Sequence, residues 1–336
     1  MKYFVYLFIF LCSCSPNPTE KHQARRNNIV DIRDRIKEIS TEETPISHIN
    51  FIYILGDYLM IKDYHSLRNL VYFFDKYTFR FIGDFIPRGQ GPGEIANIGH
   101  LAVDETNRRF YASDHGKNKI FVYYPDSLFA NPDYLPEEKT TMGEKSFPDK
   151  YDYLQDTLCI GVIIERLGNS KFNQSVARWN MRTGEITPLG YERLDIENRR
   201  LSFAVSTEHQ LIVKAYHHYD LLTVCTLNGD LKYNIYGTNW KKSETSRRVT
   251  FYGQPAVFAN RIWALYLGEN TYNEDGSGGN FPTKFLVFDL EGNYLQTLET
   301  GHKIMSFLYD KDTNRMIMNM DDDIQFAYLE LDEWTK

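Results

Sequence analysis

Apolar residues fall along this chain in short strand-like runs, separated by turn residues. One pattern, a turn followed by an apolar-rich strand, recurs six times. Its copies begin at Tyr58 (YLMIKD), Arg109 (RFYASD), Leu158 (LCIGVI), Gln210 (QLIVKA), Arg261 (RIWALY) and Arg315 (RMIMNM), at intervals of 49 to 54 residues. Each copy follows another short strand, such as FIYIL at 51 or SFAVS at 202, and precedes a third, such as LVYFFD at 70 or FLVFDLEGN at 285. Most units then turn tightly, through pairs such as Asn228 and Gly229 or Glu291 and Gly292, into a fourth strand such as LKYNIYG at 231 or YLQTLET at 294. Four antiparallel strands per unit of about fifty residues make the blade of a β-propeller. The pattern predicts an all-β, six-bladed propeller.

The sixth unit has too little chain after its third strand for a fourth. Residues 29–36 alternate like a strand, with Val30, Ile32 and Ile36 on one face and Asp31, Arg33 and Arg35 on the other, and no unit claims them. They are expected to pair with blade six as its outer strand and close the ring, hiding an edge open to aggregation. The same residues also allow a short exposed helix.

Connections divide into two sets. The turns from first to second strand and from third to fourth are tight. The opposite set includes 87–99, 127–150, 236–250 and the Gly-rich 268–282. Long loops carry function disproportionately, so the long-loop face is the expected binding face.

The N-terminus has a different pattern. Lys2 is followed by nine apolar or aromatic residues, Tyr3 to Leu11, and then by Cys12, Ser13 and Cys14. A run this short is a secretory signal rather than a membrane span. The LCSC sequence resembles the lipobox of bacterial lipoproteins, which implies cleavage after residue 13 and a diacylglycerol on Cys14. Two or three acyl chains suffice for stable anchoring. Residues 14–28 are polar with two prolines and read as lipidated cysteine and flexible tether, leaving 29–336 for the propeller.

The formal charge of −7 has no long runs of one sign, which gives no footing for nucleic acid. Besides Cys14 the mature chain keeps Cys159 and Cys225. Their pairing stays open, two buried free thiols being the simpler reading. The 24 Tyr and 22 Phe suit strands better than helices.

Candidate chemistry lies on the long-loop face. Arg88, Gln90, Gly91, Gly93 and Glu94 belong to RGQGPGE, whose alternate glycines permit close backbone approach and an anion on exposed amides. The plainer reading is a rigid crossover between blades, fixed by Arg88 and Glu94. His115, His217 and His218 offer imidazoles. Adjacent histidines on a strand end point to opposite sides, however, and no metal-ligand spacing is present. Residues 273–280 are oxygen-rich but lack the closing Glu of a calcium loop. No cofactor is implied.

RGQGPGE after the first blade, the lipobox, and WALYLG followed by a variable loop and FLVFDLEG together resemble the TolB-like six-bladed propeller lipoproteins of Bacteroidetes. That resemblance spans essentially the whole chain. It implies a propeller in the cell envelope, on the outer membrane, and supplies no catalytic residues. Two functions follow as expectations. One is a monomeric, non-catalytic module binding a protein, peptide or glycan through the long-loop face. The other is an envelope carbohydrate lyase or hydrolase working at the central channel, which would bring His217 or His218 to an acid in a deep pocket. Residues 15–18 lack an acidic cluster, which favours a periplasm-facing anchor.

Overall fold

The computed structural model describes residues 19–41, 44–142, 147–168, 171–240, 249–273, 278–332 and 334. The signal segment and Cys14 lie outside the described residues. Six four-stranded blades follow one another along the chain. Blade 1 comprises Asn50–Leu55, Tyr58–Asp63, Asn69–Asp75 and Phe81–Pro87; blade 2 comprises Ile98–Asp104, Arg109–Asp114, Lys119–Tyr123 and Glu137–Thr141. Blade 3 is Tyr151–Gln155, Leu158–Gly168, Lys171–Asn180 and Ile186–Pro188, and blade 4 is Leu201–Ser206, Leu211–Tyr216, Leu221–Thr226 and Leu231–Tyr236. Blade 5 is Val249–Phe258, Arg261–Asn270, Lys284–Asp289 and Tyr294–Glu299; blade 6 has Ile304–Asp310, Arg315–Met320 and Phe326–Glu330. First strands of most neighbouring blades lie against one another around the axis, so they border the central channel.

Blades stack face to face, which covers both faces of their middle strands. Tyr58–Asp63, Asn69–Asp75 and Leu211–Tyr216 are therefore buried almost continuously instead of alternating. Each hydrophobic cluster sits between two adjacent blades. Phe73 and Phe110 join blades 1 and 2, while Ile61 and Ile317 join blades 1 and 6. The circle of clusters is thus complete.

The N-terminal segment does close the ring, but not by one strand on blade 6. Glu20–His22 pairs in parallel with Leu231–Tyr236 of blade 4, and Ile29–Asp31 in parallel with Tyr294–Glu299 of blade 5. Only Lys37–Glu38 pairs with Phe326–Glu330, antiparallel, as the fourth strand of blade 6. The expected strand 29–36 is broken because blades radiate from the axis, and a chain on two outer edges must turn between them. Arg33–Arg35 makes that turn as a single 3-10 turn, with the Arg33 amide donating to the Asp31 carboxylate. Ile32 and Ile39 are buried on either side of it.

The expected tether also stops early, since 19–28 lies on the propeller. The His22 ring stacks on Tyr236 at 4.5 Å. Arg26 reaches between blades 4 and 5 to the buried Asp220 at 2.9 Å, and donates to the Tyr252 hydroxyl. Composition misleads here because backbone pairing and cation contacts, which leave no apolar period, hold the segment down.

Blade 2 differs from expectation too. The long connection 127–150 contains the fourth strand, Glu137–Thr141, whose charged sequence hides its strand character. Before it comes a short helix, Pro125–Ala130, with Pro at its start. Phe129 of this helix packs edge-on against Tyr58 and Phe73 of blade 1.

Candidate functional site

The RGQGPGE loop is closed by its own side chains. Arg88 Nε donates to the Ser66 carbonyl at 2.7 Å, and the Glu94 carboxylate accepts from the Gly91 amide at 2.6 Å. Lys117 Nζ donates to the Gly91 and Glu94 carbonyls, both at 2.8 Å. A Cβ on Gly89 would meet the Glu94 carboxylate, and Gly93 has φ +76°, a conformation that β-branched residues avoid. The Gly91 amide thus already holds an internal carboxylate.

Asp63 and Asp114, each the last residue of a second strand, pin the chain entering their blades. Asp63 accepts from the amides of Ser47, His65 and Ser66, and Asp114 from those of Ala96, Asn97, Gly116 and Lys117. An open groove of about 980 Å³ beside blade 1 is lined by Asp63, His65, Arg68, Tyr72 and Phe81 but by neither His217 nor His218.

The channel mouth gathers groups that sequence reading missed. Lys62, only 5% exposed, is the penultimate residue of the second strand of blade 1 and donates to the Gly99 carbonyl of blade 2 at 2.6 Å. Its Nζ lies 4.4 Å from the centre of the Phe51 ring, and Lys150 Nζ lies 5.5 Å from the same ring. Two ammonium groups therefore lie against one phenyl ring, with no carboxylate at ion-pair distance among the described residues. Burial, then the charge of Lys150, lowers the Lys62 pKa to about 7, with Asp149 partly offsetting them. His100 is packed edge-on against Tyr53 and Tyr151, with Nε2 at 2.7 Å from the Tyr151 carbonyl. Burial, reinforced by Lys62 and Lys150, takes its pKa down to about 3 against that hydrogen bond.

Asp152 stands two residues along the first strand of blade 3 from Lys150. Residues so spaced share a face, and the Val162 amide bonded to the Lys150 carbonyl carries the ladder back to Lys150. The Asp152 carboxylate has no hydrogen-bond or ion-pair partner among the described residues. Water reaches it, yet protein surrounds it, and that desolvation lifts its pKa to about 6. Its charge, behind the dominant effect of burial, also raises the pKa of Tyr53.

Of the histidines expected to matter, His217 Nε2 lies 2.9 Å from Ser202 Oγ, and His218 Nδ1 lies 3.0 Å from the Val249 carbonyl. Burial, followed by His218, Lys150 and Arg200, lowers the His217 pKa to about 4. His217 is thus coupled to cations and to a hydroxyl, and among the described residues carries no ion pair with an acid. His115 packs edge-on against Phe147 and over Gly99, where a Cβ would collide with its ring. Gln90 is exposed. Cys159 and Cys225 are both buried, free thiols.

Beyond the mouth, the second and third strands of blade 3 outrun its five-residue first strand, and Ile164 and Leu167 on this arm are exposed. The arm lies beside Arg200, whose guanidinium is 4.2 Å from the Phe172 ring centre. Among the described residues no group of three or more His, Cys, Asp or Glu is arranged to hold a metal ion, and no helix is long and apolar enough to cross a membrane.

Comparison with known proteins agrees with this architecture. Residues 23–143, spanning blades 1 and 2 and most of the N-terminal segment, match the family model DUF5128, described as 6-bladed beta-propeller. No curated protein matches the sequence. Among solved structures, a member of the DUF4221 family from Bacteroides vulgatus is 12% identical with a TM-score of 0.57, covering 88% of this chain and 94% of its own. A protein from Bacteroides fragilis described as exported is 10% identical, TM-score 0.53, covering 93% and 98%. The calcium-binding protein regucalcin from Agrobacterium tumefaciens is 9% identical, TM-score 0.52, covering 90% and 95%. At these identities the likeness is one of fold, and the chain is a six-bladed β-propeller.

Proposed function

We propose that this chain is an envelope lipoprotein of the TolB-like kind, anchored to the outer membrane through Cys14 and facing the periplasm, whose propeller binds a protein, peptide or glycan without catalysing a reaction. The observation that carries this reading is the surroundings of His217: Lys150, Arg200 and His218 act on it electrostatically, and a serine hydroxyl is its hydrogen-bond partner. An imidazole set among cations has no acid to orient it as a base. The projecting arm with exposed Ile164 and Leu167 adds apolar contact area on the same face.

The carbohydrate-enzyme reading keeps one supporting observation, the Asp152 carboxylate and Lys62 amine, both shifted toward neutrality at the channel. One experiment separates the two. The immobilised mature protein is exposed to solubilised envelope, and captured material is identified and rebound in pure form to wild type and to Leu167→Asp. Specific binding that Leu167→Asp weakens, with the captured material chemically unchanged, supports a binding module. Captured glycan that is cleaved by wild type and spared by Asp152→Asn would replace it with the enzyme.

A further inference from the structure

Lys62 and Lys150 come from different blades, yet both ammonium groups lie against Phe51. When Lys62 is protonated its charge adds to that of Lys150, and nothing among the described residues neutralises the pair at contact distance. Lys62 is held there by the Gly99 carbonyl, and Lys150 is exposed at the rim. A buried cation lacking a counter-ion costs folding energy, and a protein that keeps one has a ready place for an anion. The oxyanion of a small molecule would supply the missing counter-charge.

Resting on the binding reading above, we infer that the channel mouth is a binding site for the oxyanion of a small molecule, a carboxylate or a phosphate, held by Lys62 and Lys150 beside Phe51. Lysine suits either group, because it acts as a point charge rather than a planar fork. Contact with Phe51 keeps water from part of the site, which strengthens the charge interaction.

The test is calorimetric titration of the mature protein at low ionic strength with galacturonate, glucose 6-phosphate and neutral galactose. At least one anion is expected to bind, galactose to bind at least about tenfold more weakly, and added salt to weaken the anion. Binding of galacturonate alone identifies a carboxylate, and of the phosphate ester alone a phosphate; either supports the site. Lys150→Gln, an exposed change that leaves the fold in place by thermal melting, should weaken the anion about tenfold or more. The inference is overturned if neither anion binds, if galactose binds as well as both, or if Lys150→Gln matches wild type. Rebinding of the captured partner to wild type keeps the two readings apart: partner binding by a wild type that binds neither anion overturns this site and leaves the binding function standing.

Discussion

His100 and His217 are neutral in the folded chain because burial and nearby cations, and for His217 a neighbouring imidazole, oppose their protonation. Unfolding frees both to take up protons at the ordinary imidazole value of 6.5, so acid favours the unfolded state. The stability they contribute is whole above pH 6.5 and falls through the window down to about 3 for His100 and about 4 for His217. Asp152 works the other way: its pKa rises from 3.8 to about 6, so acidification through that interval favours the folded state. Two histidines outweigh one aspartate across the shared interval. The melting temperature is expected to drop between about pH 6.5 and pH 4.5. In His100→Gln, whose amide can still donate to the Tyr151 carbonyl, the drop should be shallower, and an unchanged slope would show that His100 is not the responsive group. Sequence reading picked His217 but passed over His100, which looks like one more strand residue in IGHLAVD. Only the approach of blades 1 and 3 puts it under Tyr53 and beside Tyr151.

Among the elements, the repeat was legible because blade stacking forces long apolar runs on second strands. One polar position inside those runs could have been read further. The fifth residue of the repeat is Lys62, Ser113, Lys214 and Asn319 in blades 1, 2, 4 and 6, all buried. Lys62 bonds to Gly99 of blade 2, Ser113 Oγ lies 3.2 Å from the Tyr151 hydroxyl of blade 3, and Asn319 donates to the Asn50 carbonyl of blade 1 at 3.0 Å. Lys214 bonds to Tyr191 and Glu192 in the crossover from blade 3. A polar residue recurring at one register of a buried strand is thus a tie to a neighbouring blade or crossover. The N-terminal segment is less legible, because short backbone pairings and a single buried arginine, which leave no apolar period, hold much of it. Arg26 faces Asp220, which also accepts from the Tyr252 hydroxyl and the Asn239 amide. Removing one partner of a buried pair leaves a charge without compensation and costs about 3–5 kcal/mol. Arg26→Ala should therefore lower the unfolding free energy by that order in urea titration. Adding Asp220→Asn should restore part of the loss, and a strictly additive double variant would show the pair is not coupled.

For the molecule as a whole, the segment from Glu20 to Ile39 runs along the outer edges of blades 4, 5 and 6. If Cys14 carries lipid, the six steps from it to Glu20 span at most about 20 Å, so the propeller is held against the membrane instead of swinging on a long tether. The same segment closes the ring, and the two roles can be separated by where a truncation begins. A chain starting at Gln23 loses the pairing of Glu20–His22 and the stacking of His22 on Tyr236 but keeps Arg26, Ile32, Lys37–Glu38 and Ile39. It should fold and melt close to the full-length protein. A chain starting at Thr41 loses the fourth strand of blade 6, the amide of Ile39 bonded to the Phe326 carbonyl, and the buried side chains of Ile32 and Ile39. Burying those two isoleucines is worth about 1.5–3 kcal/mol each. The lost backbone bonds add about 0.5–1.5 kcal/mol each, and Asp220 is again left without Arg26. Together these approach the total stability of about 5–15 kcal/mol typical of a domain. The exposed edge of Phe326–Glu330 also becomes a template for another chain. The Thr41 truncation should melt far lower and aggregate in light scattering, while the Gln23 truncation stays monomeric. Matching melts for the two chains would mean that the ring holds without its N-terminal strand.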